Sequence, residues 1–168
     1  PQNLGRMIDV NLKAPIVLSR LVLPHMTKSG CAIINVASLA GRVPVPGSAV
    51  YSASKFGLRA FTYALANELQ TKAIKIATVS PGPIDTPFIM SDIDSVSDLT
   101  FSQKISTVDE VALTILRLCK NNKIEEAMPK ISGFFTNMTY LFPKLGSILS
   151  PLLIKKGRNA KIKLKLKK

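Results

Sequence analysis

The 168 residues fall within the size of one domain, and 46% apolar against 20% charged residues supports a buried core and excludes wholesale disorder. The net charge of +13 is uneven: Lys155 to Lys168 holds eight basic and no acidic residues, leaving fifteen basic and ten acidic elsewhere, so the charge belongs mainly to the tail and does not define a nucleic-acid-binding fold. One histidine, His25, and two cysteines, Cys31 and Cys119, lack metal-ligand or disulfide spacing, so no metal site is expected, a Ser-His-Asp triad is disfavoured, and a reducing, cytoplasmic setting is expected.

From Arg6 to Met26, Met7, Val10, Leu18, Leu21 and Val22 recur at helical intervals, predicting a long helix disturbed near Pro15 and stopped at Ser29-Gly30. Cys31 to Ala37 is a continuous apolar run of strand length, suited to a buried parallel strand. After a loop containing Gly41, Pro44, Pro46 and Gly47, Ser48 to Thr71 reads as a second helix, and Lys75 to Ser80 as a second buried strand ended by Pro81-Gly82-Pro83. Asp85 to Ser106 is irregular and polar, long enough to suggest a lid or binding loop. Thr107-Val-Asp-Glu110 resembles a capping box opening a third helix, and Glu125 to Ser132 is a short possible strand. Phe134 to Ile154 is apolar and partly helical, interrupted by Pro143 and Pro151, and Lys161 to Lys168 alternates charge and apolarity with strand period, as a frayed solubilising tail would. The alternation predicts an α/β fold with right-handed crossovers in a parallel sheet, organised as residues 1–133, an apolar extension over 134–154 and a basic tail over 155–168.

Tyr51 and Lys55 are four residues apart and project from one helix face. An ammonium beside a phenol, which titrates near ~10 in water, lowers that value and lets the phenol exchange a proton with an alcohol or carbonyl oxygen. Taken alone, Tyr-x-x-x-Lys also fits an ordinary solvated helix face. Ser38 strengthens the chemical reading, because it lies just past the carboxyl end of the first strand, where open α/β sheets place ligands. A serine nucleophile is less attractive, since no Gly-x-Ser-x-Gly elbow is present. Pro81-Gly82-Pro83-Ile84-Asp85-Thr86 again follows a strand, with Thr86 able to satisfy a ligand amide; a plain strand-ending loop is the alternative.

Asn11, Ile34-Asn-Val-Ala-Ser38, Ala40-Gly41, Tyr51-Ser-Ala-Ser-Lys55 and Val79-Ser-Pro-Gly-Pro-Ile-Asp-Thr86 resemble, in order and spacing, the second half of the short-chain dehydrogenase/reductase family. Thirteen residues separate Ser38 from Tyr51, and the resemblance covers roughly residues 5 to 132. It implies a Rossmann-type, doubly wound parallel sheet and hydride transfer between NAD or NADP and a carbonyl or alcohol. By resemblance, Tyr51 is the general acid or base, and Lys55 tunes it and holds the nicotinamide ribose. Ser38 orients the substrate oxygen, and Asn11 supports a water in a proton relay. Cofactor contacts fall to Tyr51, Lys55, Pro81, Gly82, Ile84 and Thr86, and residues 87–106 close over substrate.

Two family features are missing from the sequence: the glycine-rich turn after the first strand and an Asn-Asn-Ala-Gly stretch. With Pro1 in place of an initiator methionine and no signal peptide, a fold truncated at its amino terminus is expected, without the part that chooses between NAD and NADP. Alternatives are an inactive remnant, a membrane-associated binding protein or, among enzymes, a sugar-nucleotide epimerase or dehydratase. The expected partner is a small, hydrophobic carbonyl or alcohol substrate; the residues leave oligomeric state open, while the resemblance implies a homo-oligomer paired through helices at Asn11–Met26 and Tyr51–Gln70. The apolar extension is expected first to pack over the substrate pocket or against another subunit, with peripheral membrane contact through residues 134–168, where basic residues stand beside an apolar segment, as the alternative; nucleic acid is not expected, because basic and aromatic residues are not interleaved.

Overall fold

The computed structural model describes residues 2–28 and 30–166. Ser29, the expected end of the first helix, lies outside them, as do Pro1, Lys167 and Lys168. The described chain is α/β. Helices α1 (Gln2–Ile8) and α2 (Ala14–Val22) flank a π-helical turn, Asp9–Lys13, and lead to strand β1 (Cys31–Val36). Helix α3 (Ala49–Glu68), strand β2 (Ile74–Pro81) and the four-residue α4 (Pro87–Met90) follow. Helix α5 (Val108–Lys120), strand β3 (Glu125–Met128), α6 (Lys130–Leu141) and α7 (Pro143–Lys165) complete the order.

The disturbance expected near Pro15 occupies the turn before it. Pro15 has no N–H to donate to the Asn11 carbonyl, and the Ala14 N–H reaches back to the Asp9 carbonyl in π fashion. Thr107 caps α5 as its sequence predicted: its hydroxyl accepts from the Glu110 N–H at 3.1 Å, and the Glu110 carboxylate accepts from the Thr107 N–H at 3.0 Å.

The three strands are parallel in the order β1-β2-β3, with Cys31 opposite Ile74 and Thr78 opposite Glu125. One sheet face carries the core: Ala77, Val79 and Leu118, fully buried, with Ile34, Ile115 and Met128 packed around them beneath α5. The other face meets α3 through polar groups, all satisfied. Asn35 donates to Thr62 Oγ1 at 2.8 Å, Thr62 donates to the Leu58 carbonyl at 2.8 Å, and Thr78 donates to the Asn35 carbonyl at 3.0 Å. The helices linking β1 to β2 and β2 to β3 therefore lie on opposite faces while the strands advance in one direction. The two crossovers have opposite hands, correcting the expectation that both are right-handed. The long connection from Gly82 to Thr107 relieves the steric coupling that enforces the rule in short units.

The carboxyl-terminal residues also depart from the sequence reading. Helix α7 runs unbroken from Pro143 to Lys165, crossing the expected boundary at 154/155 and turning the supposed strand-period tail into helix. Pro151 lies inside it, where a proline costs about 3 kcal/mol. Contacts on both sides of Pro151 outweigh that local penalty: α6 packs on the first half, and segment 98–102 packs on the second. A Cβ on Gly157 would overlap the Asp98 carbonyl, so only glycine admits this approach.

Cations of α7 fasten that segment. Buried Lys161 donates to the Val96 carbonyl at 2.7 Å, the Asp94 carbonyl at 3.3 Å and Asp98 Oδ1 at 3.3 Å; Arg158 donates to Asp98 Oδ2 at 3.2 Å, and Lys165 pairs with Asp94. Hydrogen bonds from Arg158 and Lys161 hold the Asp98 carboxyl below its usual range. Lys161→Met should therefore speed amide exchange across 94–102 roughly tenfold or more, as expected for lost charged hydrogen bonds, while β2 stays protected. Unchanged exchange would show that α7 does not restrain the segment.

Candidate active site

β1 and β2 end side by side, and their carboxyl ends gather several side chains singled out in the sequence. Ser38, two residues past β1, donates to the Pro81 carbonyl at 3.4 Å and accepts from the Ala40 N–H at 3.1 Å. The Tyr51 phenol lies close enough to this hydroxyl to feel it. Lys55, one turn along α3, donates to the Val36 carbonyl at 3.0 Å, with Nζ 5.8 Å from the centre of the Tyr51 ring. Glycine makes this convergence possible: a Cβ on Gly41 would lie 2.6 Å from the Lys55 carbonyl oxygen. Gly41→Ala should thus push the Ser38 turn away from α3, costing about 1–3 kcal/mol and lowering Tm by several degrees. An unshifted melting curve would refute this account.

Asn11 joins indirectly. Its side-chain amide donates to Ser54 Oγ at 3.4 Å, and Ser54 donates to the Tyr51 carbonyl at 2.7 Å, so a buried serine links the π-helical turn to the first turns of α3. The loop residues sit further along. Gly82 N–H donates to the Met128 carbonyl at 2.7 Å, Ile84 bridges Ser106, and Thr86 Oγ1 donates to the Ile84 carbonyl at 3.4 Å, so Thr86 bonds within its own loop. Asp85, Thr86, Pro87, Met90 and Ser91 line an open depression of about 420 Å³.

The expected direction of the tyrosine shift is corrected. Burial raises the Tyr51 phenol above its ordinary value, the nearby Ser38 hydroxyl offsetting only part of that, while burial lowers the Lys55 ammonium. The ammonium is turned to the Val36 carbonyl, so desolvation wins over charge attraction. Tyr51 is therefore protonated at neutral pH.

A second cluster escaped the sequence reading. Glu125, at the start of β3, accepts from Arg59 Nε at 2.9 Å and Nη2 at 2.9 Å, from Tyr63 at 2.8 Å and from Ser80 at 2.7 Å, and it pairs with buried Arg42. Arg42 also donates to the Gly133 carbonyl at 3.2 Å and Asn137 Oδ1 at 2.9 Å. Burial alone would raise the Glu125 carboxyl; hydrogen bonds from Arg59, Arg42 and Ser80 overturn that and lower it to about 2. The available signal was the spacing of Lys55, Arg59 and Tyr63, which places all three along one stripe of α3.

A parallel sheet with a tyrosine, a serine and a lysine at its carboxyl edge defines a class, and the comparisons agree. Residues 1–96 match the family model described as short chain dehydrogenase, and the chain belongs to that family. It is 41% identical over 86 residues to sulfoacetaldehyde reductase 2 of Chromohalobacter salexigens, covering 50% of this chain and 34% of that protein. It is 34% identical over 143 residues to the ketoacyl reductase HetN of Nostoc sp., covering 84% of this chain and 49% of that one. A short chain dehydrogenase from Burkholderia cenocepacia, solved in complex with NADP, superposes with a TM-score of 0.72 at 24% identity, over 91% of this chain and 62% of that one, a likeness of fold. The chain thus spans between a third and a half of these two curated relatives.

Proposed function

We infer that these residues form the proton-transfer and substrate side of an NAD(P)-dependent oxidoreductase that interconverts a carbonyl and an alcohol. The observation that carries the reading is the convergence of a protonated, half-buried phenol, a serine hydroxyl and a lysine ammonium at one sheet edge. Membership of the family supports it.

The donor set suits a nicotinamide dinucleotide. Lys55 would hold its ribose, with Tyr51 beside it, and the Pro81–Gly82–Ile84–Thr86 turn would meet its carboxamide. The sequence has no glycine-rich turn to hold the pyrophosphate. When bound, the cofactor supplies the hydride. In carbonyl reduction Tyr51 donates its phenolic proton to the substrate oxygen, and Ser38 hydrogen-bonds the same oxygen, stabilising the negative charge that develops there. The Lys55 ammonium favours the phenolate left behind. Asn11, through Ser54, fixes the backbone of Tyr51 and stands where a relay of protons to Lys55 would begin.

The test is NADH- and NADPH-dependent reduction of a panel of hydrophobic aldehydes and ketones. It is run on the chain itself and on the chain joined behind the amino-terminal half of a short-chain dehydrogenase. Turnover that disappears in Tyr51→Phe supports the reading. Its absence in every format, with both cofactors, would favour a remnant without catalysis.

A further inference from the structure

Helix α7 has two unlike faces. Gly157 and Lys161 press against segment 94–102, whereas Leu145, Ile148 and Leu152 are 38%, 70% and 67% exposed. Their spacing of three and four residues puts them on one stripe, which continues into exposed Lys155, Lys156 and Lys163. Arg158, Lys161 and Lys165 spend their charge on Asp94 and Asp98. No acidic residue follows Glu126 in the sequence, so the lysines of the outer stripe have no anion of their own segment to meet.

We propose that this outer face of α7 lies on the surface of an anionic membrane. Leucine and isoleucine side chains enter the boundary between headgroups and acyl chains, while the lysines extend their stems along it and place their ammonium groups among lipid phosphates. No helix among the described residues is long and apolar enough to cross a membrane, which fits a helix lying in the interfacial plane. Charge complementarity selects this occupant. A second copy docked on the same stripe would add its own lysines and no acidic residue, whereas a phosphatidylserine surface supplies the missing anions. The inference does not depend on the catalytic reading, since none of these residues belongs to the Ser38–Tyr51–Lys55 cluster.

The experiment is co-sedimentation of the full chain with vesicles of phosphatidylcholine alone or mixed with phosphatidylserine. Partitioning should be roughly tenfold or more stronger on the anionic vesicles, fall as salt rises, and be lost in the double variant Ile148→Asp, Leu152→Asp. The triple variant Lys155→Glu, Lys156→Glu, Lys163→Glu alters only exposed ends. It keeps the test decisive if the aspartates prevent folding, as judged by circular dichroism. Equal binding to both vesicle types, no binding, or binding unaffected by the triple variant overturns the proposal. So does a dimer, seen by sedimentation velocity, that the same substitutions dissociate: it reassigns the face to a second copy.

Discussion

Tyr51→Phe should lower turnover of the active protein by roughly 10²–10⁴-fold, the range supplied by a positioned general acid, and leave the fold unchanged. The ring stays packed and only the phenolic hydroxyl near Ser38 is removed. Burial raises the phenol above 10.0, so carbonyl reduction should hold through neutral pH and decline only in strongly alkaline solution, as the donor loses its proton. Alcohol oxidation, which needs the phenolate, should rise over the same interval. Lys55→Ala removes the charge that favours the phenolate and should shift both limbs further alkaline. A Tyr51→Phe variant with ordinary turnover would remove the proposed proton donor, and a reduction profile falling below neutrality would contradict the direction of its shift.

The largest structural effect is expected at Glu125. Replacing it with alanine leaves Arg42, 7% exposed, without its anion, and breaking a buried pair in this way costs about 3–5 kcal/mol. That is a large share of the 5–15 kcal/mol that typically holds a domain. The sign of the pH dependence follows from the depressed folded value. Glu125 contributes stability fully above its ordinary value of 4.5, and that contribution is lost as pH falls from there toward about 2. Urea unfolding across acid pH should show a steep decline in the native protein and a flatter one in Glu125→Gln, which has no carboxylate to titrate. Parallel acid limbs would assign the decline to other carboxylates.

Much of the sheet and its surface helices could be read locally. Cys31–Val36 follows from a short apolar run, Ile74–Pro81 from a strand-length stretch ended by Pro81-Gly82-Pro83, and the start of α5 from the Thr107–Glu110 spacing, because these signals act over a few residues. The order and spacing of Ser38, Tyr51 and Lys55 pointed to their edge of the sheet as well. The Glu125 cluster was not legible, since Arg42, Arg59 and Ser80 meet it only after β2 and β3 pair, from positions scattered along the chain. The direction of the Tyr51 shift depended on burial and on where Lys55 points, neither of which is a property of spacing. Lys161 to Lys168, alternating with strand period, was expected to be a frayed solubilising tail, and α7 instead carries it as helix to Lys165, seated by Gly157 on Asp98.

The fastening of segment 94–102 by α7 has a consequence for synthesis. Segment 94–102 finds its restraints only once Gly157, Arg158, Lys161 and Lys165, about sixty residues further along the chain, have been made. A chain cut short before Gly157 would keep Ser38, Tyr51 and Lys55 and lose the seat of segment 94–102, so changes in the second half of α7 can retune that segment without altering any of the three.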